Sequence, residues 1–83
     1  MAGAVQTKAY KDLLKALVVA RETADLSQAD LARKIDKPPS FIGKYELGER
    51  RLDVIELFVV LKALKIDPII FLQEAVTKVP ARL

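Results

Sequence analysis

Cysteine, histidine and tryptophan are all absent from the 83 residues. Without cysteine there is no disulfide framework, and without cysteine or histidine the usual zinc and haem ligand sets cannot be assembled, so neither metal nor cofactor is expected. Catalysis would have to rest on carboxylates, Lys, Ser or Tyr, and the acids are accounted for as helix caps or helix-surface charges, so an enzyme is not expected. Glycine is scarce too: Gly3, Gly43 and Gly48 stand isolated, which excludes a glycine-rich phosphate loop. The longest uninterrupted apolar runs, 16–20 and 57–61, fall far short of the roughly 18 to 20 residues of a membrane span. Early Gln6, Lys8 and Lys11 do not resemble a secretory signal, and the expectation is a cytoplasmic protein without membrane partners.

What is present is apolar material, 52% of the chain, enough for one core in one small domain. The net charge is only +3, but it is unevenly placed. Of 14 lysines and arginines, six (Arg33, Lys34, Lys37, Lys44, Arg50, Arg51) fall within 33–51 against three of the 11 acids, leaving eight of each elsewhere. The whole positive excess therefore sits in one segment, where a polyanion would dock.

That segment also carries the densest structural signal. Ser27 is placed to cap a helix, Asp30 follows as the acidic half of a capping box, and Leu26 precedes as a staple. Leu31, Ala32 and Ile35 mark a buried stripe, with Ala32 small enough to let a second helix cross closely. Pro38 and Pro39 announce that second helix, since proline is tolerated in a first turn and disfavours helix before it. The break falls at Asp36-Lys37, with Asp36 in a left-handed turn position. On the 39–46 helix Phe41, Ile42 and Tyr45 anchor inward, Pro39, Ser40, Gly43 and Lys44 face outward, and Gly48 suits the C-terminal bend. Elsewhere, 8–22 reads as a helix with Leu13, Leu14, Leu17 and Val18 on one face. Asp53 with Glu56 caps a fourth helix whose buried side is Val54, Leu57, Phe58 and Leu61, and Asp67-Pro68 starts a fifth running to about Val76. The reading is all-α: an arm over 1–7, a five-helix domain over 8–77 and a tail over 78–83.

The stretch LSQADLARKIDKPPSFIGKYELGERR resembles the helix-turn-helix of the Cro/repressor (XRE-type) family of bacterial and phage regulators. The match extends over about 13–68 and rests on Ser27-Gln28, Leu31-Ala32, the Ile42-x-x-Tyr45-Glu46-x-Gly48 ending and the continuation LDVIELFVVLKALKIDP. Asp36 stands where the family usually has glycine, and Pro38 where it usually has a polar cap. The resemblance implies a repressor-like domain that binds double-stranded DNA as a transcriptional regulator, favouring repression, in the cytoplasm at the nucleoid. It places Pro39, Ser40 and Lys44 at base-contacting positions; Lys44 suits guanine O6 or N7, Pro39 a thymine methyl, and Gly43 a close approach to the groove wall. Gln28 falls where the family sets an amide against a phosphate, with Ser27 assisting; Lys37, Arg50 and Arg51 bracket the backbone. The family's ion pair between the first helix and the recognition helix maps to Arg21 and Glu46.

Helices four and five carry more apolar surface than one small core needs. Ile55, Val59 and Val60 flank the main stripe, and Ile69, Ile70, Phe71, Leu72 and Val76 follow. The expectation is a homodimer through helix five and the tail, with help from Val59, reading a palindromic operator. The rival is an adaptor or antitoxin that uses these helices to hold a protein partner such as a toxin.

Overall fold

Four of the five helix starts among the described residues are fixed by side chains that accept from otherwise orphaned amides. The computed structural model describes residues 7–82, so 1–6 of the expected arm and Leu83 of the tail lie outside the described residues. Five helices follow in order: α1 (Lys8–Thr23), α2 (Gln28–Lys34), α3 (Pro39–Glu46), α4 (Val54–Ala63) and α5 (Pro68–Val76). Thr7, placed in the arm by sequence, instead caps α1 by accepting from the Tyr10 amide at 3.1 Å. Ser27 and Asp30 form a reciprocal capping box on α2, and Asp53 and Glu56 do the same on α4. Asp67 caps α5, and Pro39 and Pro68 occupy first helical positions where no amide is needed.

The ends of α1 to α4 share one device. Beyond each, an amide folds back to a last-turn carbonyl: Leu26 to Arg21 at 3.2 Å, and Lys37 to Ala32, Glu49 to Lys44 and Ile66 to Leu61 at 2.9 Å. This Schellman arrangement needs one residue in the left-handed region, and φ is 61° at Asp25, Asp36 and Lys65 and 81° at Gly48. The result is four tight connections that satisfy orphan carbonyls. Aspartate is among the residues that enter this backbone region most readily after glycine, whereas lysine is not.

The core gathers Leu14 and Leu17 from α1, Leu31 and Ala32 from α2, Phe41, Ile42 and Tyr45 from α3, and Leu57, Val60, Leu61 and Leu64 from α4 and its end. Phe41 meets Tyr45 edge-on, with ring centres 5.9 Å apart. Two sequence expectations about α4 need correction. Val60, counted as surplus, is fully buried, and Val54, assigned to the buried side, is 58% exposed. The core-facing row is 57, 60, 61 and 64, which turns Ile55 and Val59 to the opposite face. On α5 the same spacing packs Phe71 and Leu72, partly buried, against the core and leaves Ile69, Ile70 and Val76 exposed.

Replacing Lys65 by glycine relieves the left-handed strain without removing a core contact. Lys65→Gly is expected to raise unfolding free energy by roughly 1 kcal/mol, measured by urea denaturation; an unchanged or lower value contradicts the strain assignment.

Candidate nucleic-acid interface

The outward row of α3 is set by what its inward row must do. With Phe41, Ile42 and Tyr45 buried, Pro39, Ser40 and Lys44 are left exposed, Lys44 one turn beyond Ser40. Among the described residues no hydrogen bond or ion pair engages the Lys44 ammonium, which leaves a long donor at the surface. Leu47, at the end of α3, continues this row and is 73% exposed.

Gly43 is the member of the outward set that the structure places differently. It is half-buried, and a Cβ there would lie 3.5 Å from Gln28 Oε1, so this glycine sits where α2 crosses α3 instead of facing outward. Gln28 covers it and donates from Nε2 to Glu46 Oε1 at 2.9 Å. The amide that the resemblance sets against a phosphate is thus oriented by a carboxylate at the end of α3. Ser27 is engaged as the α2 cap.

Glu46 is the centre of a larger network. Arg21 donates to it from Nε at 2.7 Å and from Nη2 at 3.2 Å, and its Nη1 donates to the Leu26 carbonyl at 2.9 Å. Both side chains are nearly enclosed, 12% and 8% exposed, so each charge depends on the other for solvation. The Glu46 hydrogen bond raises the Arg21 pKa further above its ordinary value and fixes the guanidinium in its charged form. One pair therefore ties the last turn of α1, the α1–α2 turn and the end of α3.

The cations expected to bracket DNA are not loose surface charges. Lys37 lies over the Phe41 ring, its Nζ 5.6 Å from the centre. Arg50 lies over the same ring at 4.6 Å, and donates to Glu56 Oε1 and Oε2 at 2.9 and 2.8 Å. Arg51 stacks over Tyr10 at 4.6 Å, and the Tyr10 hydroxyl accepts from the Leu52 amide. Arg33 pairs with Asp30 across an exposed helix surface, a contact that contributes little. The pairing of Arg50 with Glu56 was hidden in the sequence, because Glu56 already had a role in its capping box. The Arg50 guanidinium draws the Glu56 pKa down to about 2 from an ordinary 4.5, with the Asp53 amide assisting.

No group of three or more potential metal-ligating acids occurs among the described residues, and no helix there is long and apolar enough to cross a membrane. Two short helices joined at Asp36, the second pinned from behind and open in front, define a helix-turn-helix protein. A family model described as helix-turn-helix matches residues 19–71. An XRE-family like protein from Pseudomonas syringae pv. tomato str. DC3000 is 35% identical and superposes with a TM-score of 0.85 over 94% of this chain and 95% of that one. The wild-type restriction-modification controller protein C.Esp1396I is similar in fold at 20% identity, with a TM-score of 0.76 over 86% of this chain and 92% of that one. A variant of that controller gives 21% identity and the same TM-score over 87% and 91%. No curated protein matches the sequence. The chain belongs to the XRE family of helix-turn-helix DNA-binding regulators, a family of regulators and not of enzymes.

Two outcomes follow for the charge networks. Replacing Arg21 or Glu46 alone by alanine is expected to cost about 3 kcal/mol of stability, and replacing both clearly less than the sum, because a single substitution strands an enclosed charge. A denaturation-based double-mutant cycle without coupling contradicts this. The lowered Glu56 pKa makes a stability contribution that is complete above about pH 4.5 and lost as pH falls towards 2. Glu56→Gln is therefore expected to flatten part of the acid limb of a stability-against-pH curve, and an unaltered limb contradicts the pairing.

Proposed function

We propose that the protein is a sequence-specific double-stranded DNA-binding repressor that acts as a homodimer and lays α3 in the major groove. The observation carrying this reading is the split character of α3: its inner row is fully committed to the core and its outer row presents Ser40 and Lys44 to solvent. A helix held in this way meets base edges without reorganising. Lys44 reads guanine, Ser40 adds a short donor or acceptor, and Pro39 offers apolar contact to a thymine methyl. Gln28 and Lys37 contact phosphates on either side of the groove and set affinity and salt dependence.

Dimerisation is supported by the apolar residues that the monomer leaves uncovered on α4 and α5. Val59 is 44% exposed, Ile69 67%, Ile70 60% and Val76 66%. Pairing through them presents two α3 helices to one face of a duplex, and half-sites about one helical turn (~34 Å) apart. Repression follows from occupying a site that overlaps a promoter. The same surface would serve a protein partner such as a toxin, and that is the alternative outcome of the test.

Selection from random duplexes is expected to enrich two-fold symmetric sites. Lys44→Ala should weaken the selected site by about 1 to 3 kcal/mol and relax preference at one base pair of each half-site. Lys37→Ala should weaken all sequences alike and reduce the salt slope by about 0.9. Enrichment without symmetry contradicts the dimer, and failure to enrich any sequence contradicts specific recognition.

A further inference from the structure

Arg21 and Arg50 use opposite edges of the guanidinium group. An arginine offers five N–H donors arranged as an end-on fork from Nη1 and Nη2 and a side-on fork from Nε and Nη2. Arg21 closes its side-on fork on Glu46 and turns Nη1 to the Leu26 carbonyl. Arg50 does the reverse. Its end-on fork meets Glu56 Oε1 and Oε2, and its second Nη1 N–H donates to the Arg51 carbonyl at 2.9 Å. The Nε–H and the outer Nη2–H have no partner among the described residues, so the side-on fork is open.

The group is also fixed across its plane. Its Cζ lies 4.6 Å from the centre of the Phe41 ring, which is itself packed in the core, and Lys37 Nζ lies 5.6 Å from the same centre. Arg50 keeps 40% of its side chain exposed. A guanidinium clamped at one end, held over an aromatic ring and open along one edge is a preformed receptor for an oxyanion with two oxygens, and a DNA phosphate presents them.

We propose that Glu56 and Phe41 are positioning residues for backbone recognition, holding Arg50 so that its Nε and Nη2 edge takes two oxygens of one DNA phosphate. The proposal rests on the DNA-binding reading above and deepens it. Charge and positioning make opposite demands on Glu56. If only charge counted, removing this carboxylate would add one positive unit near DNA and tighten binding. If the carboxylate positions Arg50, its removal weakens binding in spite of the added charge.

The test uses full-length wild type, Glu56→Gln and Arg50→Lys on the selected duplex, with single methylphosphonates scanned along the backbone. Glutamine preserves the capping-box chemistry of α4, and lysine keeps the charge of Arg50 while losing its fork. Thermal melts of the same samples establish that each variant is folded at the binding temperature. One methylphosphonate per half-site is expected to weaken wild type several-fold and leave both variants unaffected. Both variants bind the unmodified duplex several-fold more weakly, with a salt slope shallower by about 0.9. Glu56→Gln binding as tightly as wild type or more tightly overturns the proposal, as does a lowered melting temperature with unchanged methylphosphonate sensitivity. Wild type that binds no duplex at any salt overturns the DNA-binding reading and this proposal together; wild type that binds while the variants match it overturns this proposal alone.

Discussion

The enclosed ion pair between Arg21 and Glu46 is the constraint on which the placement of α3 depends. It joins residues 25 positions apart and brings the last turn of α1 to the last residue of α3. The same carboxylate receives the Gln28 amide, and the same guanidinium holds the carbonyl of the α1–α2 turn. Taking two charges out of water is expensive, and only the bidentate geometry and the additional hydrogen bonds offset that cost. The arrangement gives orientation more than net stability. It sets α3 against its neighbours and sets the Gln28 amide against α3.

Five cations around α3 fall into three separate settings. Arg21 is internal and structural. Arg50, Arg51 and Lys37 stand at the margin, each over an aromatic ring, so that their positions are restricted before any partner arrives. Lys44 alone of this set sits on the outward row of α3. A net charge of +3 understates this organisation, because what matters for a polyanion is where held and unheld charges lie relative to one helix.

Much of the fold is written locally. Ser27 with Asp30, Asp53 with Glu56, and Asp67 before Pro68 mark three helix starts by chemistry that acts over three residues, and the observed caps use those side chains. The left-handed turn at Asp36 is legible for the same reason, whereas that at Lys65 is not, since nothing about lysine favours such a backbone. The facing of α4 and α5 is poorly encoded, because nearly every position is apolar and periodicity cannot distinguish Val54 from Val60 or separate Phe71 and Leu72 from Ile69 and Ile70. Within the candidate site, Ser40 and Lys44 follow from the inward pattern of Phe41, Ile42 and Tyr45. Contacts across the fold, such as Arg50 with Phe41 and Glu56, depend on how loops return to α3, and no spacing rule reveals them.

The central claim is that a duplex is met by the outward row of α3 and by the residues that flank it. Amide chemical-shift mapping of labelled protein during titration with its selected duplex tests this most directly. The account predicts that the largest changes fall on residues 39–44 and on Gln28, Lys37 and Arg50, with salt reducing the effect. Changes concentrated on α1 or α5, with residues 39–44 unmoved, would contradict it.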